Sequence, residues 1–171
     1  RQNCRTSHLS LFNPHTAKIE DFILSQDIIY VGGGNTKSML ALWREWGLDR
    51  ILKKAYDNGI VLAGVSAGAI CWFEQGATSS IPEKISALPC LGFLPESCCP
   101  HFESEPLRQE AVPRMIKTGE MTSGYAIDNS VALHFIDGKI SKAVASVKGR
   151  RAQYLNQDGD VIDLDVVYLG S

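Results

Sequence analysis

The stretch Gly64-Val65-Ser66-Ala67-Gly68 constrains this chain more than any other. It follows Ile60-Val61-Leu62-Ala63, an apolar run that reads as a fully buried strand, and it leads into small residues suited to a helix start. A G-x-S-x-G sequence between a strand and a helix describes a sharp elbow that lifts the serine hydroxyl above the sheet edge. Glycines at both flanks let neighbouring backbone pass closely, which side chains would block. The serine then sits near the positive end of the following helix, and the backbone N–H of Ala67 points to where an oxyanion would form. Ser66 is therefore the candidate nucleophile.

The elbow requires a sheet with helices packed on it, and the rest of the first half reads that way. Ile19, Phe22 and Ile23 have helical spacing behind Thr16, an N-cap residue type. Asp27-Ile28-Ile29-Tyr30-Val31 is a short strand ending in Gly32-Gly33-Gly34-Asn35. Met39, Leu42, Trp43 and Trp46 then follow an i, i+3, i+4, i+7 pattern, capped by Asn35 or Thr36 and stopped by Gly47. A further helix runs from Asp49, as cap, to Gly59. Strand–helix–strand order with short joints predicts parallel strands covered by helices, with both glycine turns at one sheet edge.

Residues 74–97 lose periodicity and collect Gly, Pro and Ser, so they read as a long loop. A helix is expected to start near Pro106 and end before Gly119. Beyond it, Asp137-Gly138 and Asp158-Gly159 signal hairpins. The expected architecture is a single α/β domain over residues 1–171, a mostly parallel sheet with antiparallel strands toward the C-terminus.

Composition excludes several classes. The 171 residues are 44% hydrophobic and 21% charged, an ordinary globular balance. No apolar run reaches the roughly 18 residues of a spanning helix. A net charge of −2 without a basic stripe speaks against nucleic acid and anionic membranes as partners. Five cysteines, an odd number with a vicinal Cys98-Cys99 pair and no CxxC spacing, match neither a disulfide framework nor a zinc knuckle. They fit a reduced, cytoplasmic protein with no metal and no cofactor. Residues 1–15 have no apolar core of a signal peptide, and without an initiator Met the chain is expected to begin inside a longer protein.

A serine nucleophile needs a base, usually histidine. Of His8, His15, His101 and His134, the one in Pro100-His101-Phe102 lies between a short strand signal and a helix, again at the sheet edge. Asp128, at the end of Gly124-Tyr125-Ala126-Ile127, is the candidate carboxylate to orient it, with Glu74, Glu83, Glu103 and Glu105 as rivals; Asp128 and Asn129 also suit a turn. The Gly32-Gly33-Gly34 turn can supply a second oxyanion donor. The same glycines also fit a plain tight turn, and they match neither G-x-G-x-x-G nor the P-loop. The order Ser–His–Asp differs from the Ser–Asp–His order of α/β-hydrolases.

Four stretches in this order, Val31 to Thr36, Gly64 to Ala69, Pro100 to Phe102 and Ala126 to Asn129, resemble the dipeptidase E and cyanophycinase group of serine peptidases. Leu91-Gly92-Phe93-Leu94-Pro95 is similar to the approach to the histidine in that group, and the likeness runs from about residue 18 to 160. The resemblance implies a flavodoxin-like, class I glutamine amidotransferase-like three-layer sandwich. It implies Ser66 as nucleophile, His101 as base and Asp128 as third member, with Gly33 or Gly34 and Ala67 as oxyanion hole. It also implies hydrolysis of short peptides, either dipeptides with N-terminal Asp or β-aspartyl links. Two departures stand out: Cys99 precedes Pro-His-Phe where Asn is frequent, and the initial strand of the group has no counterpart before residue 18.

Recognition of an acidic substrate requires a cation, for which Arg is best suited. Arg108 and Arg114, on the helix after His101, are the candidates, with Asn35 as a further substrate contact. The sequence leaves the oligomeric state open between monomer and homodimer. Competing functional readings are a small esterase or amidase and a non-catalytic binding module on the same scaffold.

Overall fold

A computed structural model describes residues 3–170. It opens with α1 (Ile19–Leu24), β1 (Ile28–Val31), α2 (Thr36–Glu45), α3 (Leu48–Asp57) and β2 (Val61–Gly64). Asn35 caps α2 by accepting from the Ser38 N–H at 3.0 Å. The α3 cap is Gly47 at φ 65° rather than Asp49, because a left-handed residue turns the chain tightly enough to end one helix and start the next. At α1 the cap position falls on Lys18, and Thr16 instead accepts from the Lys18 N–H in a local turn. Strands β1 and β2 pair in parallel from Ile28↔Val61 to Val31↔Gly64, so both glycine turns do leave the same sheet edge.

The pair is not buried on both faces, as a fully buried β2 would require. Ile29, Val31 and Leu62 pack against the main apolar cluster, while Ile28, Tyr30 and Val61 on the opposite face are more than half exposed. Alternation along a strand sends successive side chains to opposite faces, and the described residues cover only one of them.

Next come α4 (Ala67–Ile70), β3 (Phe73–Ile81), β4 (Lys84–Pro89) and β5 (Leu94–Cys99). The expected loop over 74–97 is therefore three strands. Strands β3 and β4 form a hairpin about Pro82-Glu83, with a register shift between Thr78 and Ile81. That irregularity breaks the strict alternation by which a strand is recognised in sequence, and the Gly, Ser and Pro residues lie on strands that pair regardless.

The chain continues through α5 (Pro106–Lys117), β6 (Gly124–Ile127), β7 (Val131–Ile136), β8 (Lys139–Ala145), β9 (Ala152–Leu155), β10 (Val161–Asp163) and β11 (Val166–Tyr168). Asp137 and Gly138, at φ 50° and 73°, make the β7–β8 turn, and Gly159 at φ 92° lies in the β9–β10 turn, as their sequences predict.

Three sheets result: β1-β2, β10-β9-β6-β5-β3-β4 and β11-β8-β7. Four strand pairs are parallel (β1/β2, β3/β5, β5/β6, β8/β11) and four antiparallel. The α/β class holds, but the strands among the described residues form mixed sheets rather than a mostly parallel one. The central β3, β5 and β6 are parallel because long crossovers join them, whereas the short turns at 82–83, 137–138 and 156–160 can only build antiparallel neighbours.

All five cysteines are free, and Cys71, Cys98 and Cys99 are buried. Burial pushes the thiols of Cys71 and Cys98 well up from the usual range, that of Cys90 to about 12 and that of Cys99 to about 11. At neutral pH these groups stay protonated and are poor nucleophiles. In the native protein a thiol-specific disulfide reagent should therefore react quickly with Cys4 alone, and Cys4→Ser should remove that fast phase; a second fast equivalent in Cys4→Ser would show that the interior opens. Among the described residues no helix is long and apolar enough to cross a membrane.

Candidate active site

The elbow forms as its sequence requires. Ser66 adopts φ 56°, ψ −114° between β2 and α4, a strained conformation for a residue with a side chain. A Cβ at Gly64 would overlap the Gly68 carbonyl, and one at Gly68 would overlap the Val31 carbonyl, so the turn closes only with glycine at both places. Gly33 lies against Ser66, a Cβ built there falling 3.4 Å from the serine Cβ. Gly34 and Ala67 line the cleft in front of Ser66. The N–H groups of Gly33, Gly34 and Ala67 have no acceptor among the described residues, the condition under which backbone donors can serve an oxyanion.

His101 reaches the elbow from the end of β5. Its own φ is 58°, and the Phe102 N–H donates to the Ile127 carbonyl at 3.1 Å, fastening this segment to the end of β6. His101 Nε2 lies 2.9 Å from Ser66 Oγ, in hydrogen-bond contact. The other three histidines are exposed and away from the cleft.

The ring's other nitrogen meets a residue the sequence reading did not single out. His101 Nδ1 is 2.6 Å from Asn129 Oδ1. The expectation that Asp128 orients His101 is corrected here. Asp128 is buried, but its carboxylate accepts from the Arg151 N–H at 2.8 Å, so it ties β6 to the segment before β9. Successive residues leaving a strand face opposite ways, and the final one-residue choice between 128 and 129 is made by the Phe102–Ile127 contact. The rival acids are also committed elsewhere. Glu74 accepts from the Glu96 N–H, Glu83 lies in the β3–β4 turn, Glu103 pairs with Arg150 at 2.7 Å, and Glu105 pairs with Arg108. The signal for Asn129 was present in the Asp-Asn pair, since an amide oxygen, like a carboxylate, can accept from an imidazole N–H, though without the added charge.

The cleft has a volume of about 240 Å³ and is predominantly polar. Asn35 lines it, its amide donating to the Ser80 carbonyl at 2.9 Å. Ser79 and Ser80, from the irregular end of β3, complete the wall; with that segment read as a loop, nothing marked them. Arg108 is 4% exposed and also lines the cleft, bonded to Glu105, to the Ala77 carbonyl at 2.8 Å and to Ser79 Oγ at 3.4 Å. Its guanidinium also faces the Cys99 thiol. Arg114 is not in the cleft: it is exposed and faces Glu120 at 3.5 Å, because positions 108 and 114 differ by six residues and fall on different faces of α5.

A serine raised on a strand–helix elbow, in contact with histidine and flanked by unspent backbone N–H groups, is the arrangement of a serine hydrolase. The sequence pattern of peptidase family S51 matches residues 1–143, and the chain belongs to this family, the serine-type peptidases of the dipeptidase E and cyanophycinase group. It is 46% identical over 171 residues to the uncharacterized peptidase YgaJ of Bacillus subtilis (strain 168), a match covering 98% of this chain and 74% of that protein. With Peptidase E of Haemophilus influenzae it shares 27% identity over 140 residues, 76% of this chain and 64% of the relative. The crystal structure of a candidate peptidase E protein from Listeria monocytogenes EGD-e superposes with a TM-score of 0.55 at 20% identity, covering 91% of this chain and 67% of that one, a likeness of fold. The chain thus spans about two thirds to three quarters of the length of these relatives.

Proposed function

We propose that the chain is a serine exopeptidase acting on short peptides with an N-terminal acidic residue, through an acyl-enzyme on Ser66. The observation that carries this reading is the 2.9 Å contact of Ser66 Oγ with His101 Nε2 at a small cleft that also holds the Arg108 guanidinium. Ser66 Oγ attacks the peptide carbonyl carbon as His101 Nε2 takes its proton. The negative oxygen of the tetrahedral intermediate is held by the N–H of Ala67 with Gly33 or Gly34. Collapse breaks the C–N bond, and His101 returns the proton to the leaving amine. Water, deprotonated by His101, then cleaves the ester and restores Ser66.

Arg108 supports the acidic preference. A buried guanidinium lining the cleft offers a carboxylate charge-assisted hydrogen bonding, and Glu105 holds it in place. The cleft volume suits one small side chain. The same reading takes the fold as flavodoxin-like, of the class I glutamine amidotransferase kind, supported by the parallel β1-β2 pair carrying the elbow at its C-terminal edge.

The test is hydrolysis of Asp-X dipeptides against Ala-X and β-Asp-X controls. Cleavage of Asp-X alone is expected; cleavage of β-Asp-X alone would move the substrate to β-aspartyl links, and faster turnover of a p-nitrophenyl ester than of any peptide would make the site an esterase. Arg108→Gln should raise KM for Asp-X at least about tenfold relative to Ala-X. The ratio of the two substrates cancels any loss of folded protein, so an unchanged ratio would remove Arg108 from recognition.

A further inference from the structure

We propose that Glu105 reads the free N-terminus of the substrate, its carboxylate holding the α-ammonium group while Arg108 holds the side-chain carboxylate. The inference rests on the peptidase reading of Ser66, His101 and Arg108, and it supplies what that reading leaves open. An N-terminal aspartyl residue is a zwitterion. Its ammonium group and its side-chain carboxylate both lie within a few bonds of the carbonyl carbon that Ser66 attacks, so both enter the same small space. The described residues lining the cleft include one cation, Arg108, and no acid. Taking an ammonium group out of water without an anion or a well-placed acceptor is costly. Selection of a free N-terminus therefore calls for a carboxylate at the edge of the cleft.

Glu105 occupies that place. It stands at the N-cap position of α5, where its N–H donates to the His101 carbonyl at 3.1 Å and its carbonyl accepts from the Arg108 N–H at 2.8 Å. Its backbone is thus fixed between the base and the cation. Oε2 accepts from Arg108 Nε at 2.5 Å, and Oε1 enters no hydrogen bond among the described residues. The Arg108 side chain is 4% exposed and that of Glu105 40%, so the cation lies deep and the anion near solvent. An ion pair ordered in this way is the electrostatic complement of a zwitterion. Because Glu105 offsets part of the Arg108 charge, a ligand carrying only a carboxylate gains less here than one carrying both charges. The other acids of this region are spent. Glu103 Oε1 holds Arg150 and its Oε2 accepts from the Asn129 N–H, while Asp128 is buried and accepts from the Arg151 N–H.

The test compares Asp-X with succinyl-X, the same acyl group without its amine, in the wild-type protein, Glu105→Gln and Arg108→Gln. Binding of L-aspartate and of succinate, which differ by the same amine, is measured alongside by calorimetry. In the wild type kcat/KM should favour Asp-X over succinyl-X by about tenfold or more, and L-aspartate should bind more tightly than succinate. Glu105→Gln should abolish most of that preference in both measurements. Any change this variant causes in the fold or in the seat of Arg108 acts on both compounds alike, since both carry the side-chain carboxylate, so the ratio isolates the amine. Equal rates and affinities for the two compounds in the wild type, or an unaltered preference in Glu105→Gln, would overturn the proposal. If the amine preference depends on Glu105 but Arg108→Gln leaves the ratio of Asp-X to Ala-X unchanged, the role of Glu105 stands and the acidic preference falls. If calorimetry gives the expected pattern but no peptide is cleaved, the amine subsite stands and the peptidase reading falls.

Discussion

Ser66→Ala should reduce kcat on Asp-X dipeptides by roughly 10⁴- to 10⁶-fold while leaving the protein folded. The loss is that large because nucleophile and base act as one unit: without Oγ there is no acyl-enzyme, and His101 has nothing to deprotonate. The fold should be indifferent because the Ser66 side chain does not cap α4, and its one bond among the described residues is to His101. Alanine also occupies φ 56° at much the same cost as serine. A melting temperature within a few degrees of wild type, with peptide still bound and uncleaved, is the expected pair of results. Retention of even a tenth of wild-type kcat would refute Ser66 as nucleophile.

The second large effect is on stability. In Gly68→Ala the new methyl group would meet the carbonyls of Val31 and Gly32, and in Gly64→Ala the carbonyls of Gly68 and Val31. These are backbone atoms of a strand and of the elbow helix, so no rotamer change relieves the overlap; β1 and α4 must separate. The expected cost is at least about 3 kcal/mol, a large share of the 5–15 kcal/mol that holds an ordinary domain together. Gly32→Ala is the control, since a Cβ there meets nothing within 4 Å and its φ is not in the left-handed region. Denaturant midpoints should fall sharply for the first two variants and by no more than about 1 kcal/mol equivalent for the control. Equal midpoints in all three would mean that the elbow is looser than its contacts imply.

Much of the site was legible before the fold. Gly64 to Gly68 is a local solution to a local problem, a nucleophile on a tight turn, and its glycines are needed by atoms no more than four residues away or on the adjoining strand. His101 stood among four histidines as the one between a strand signal and a helix, and its role as base was implied by the family resemblance. Residues 74–97 were not legible, because a strand with a register shift and a neighbour across a two-residue turn shows no sustained alternation. Arg108 and Arg114 were indistinguishable as residue types; six positions along α5 decide that one is buried in the cleft and the other solvated.

The third member of the site divides the two sources of information most clearly. The amino-acid sequence by itself determined the strand–elbow–helix unit, the Asn35 cap and the hairpin turns, and it marked the serine and histidine as candidates, since each of these signals lies within a short stretch of chain. Only the tertiary structure decided between Asp128 and Asn129. That choice turns on the register with which residues 101–104 meet residues 127–129, set by the Phe102–Ile127 hydrogen bond and by the partners Arg150 and Arg151 from a third segment. Contacts among three segments separated by more than twenty residues leave no periodic trace in any one of them. For that reason the amide facing the ring, rather than the carboxylate beside it, emerges only when the chain is folded.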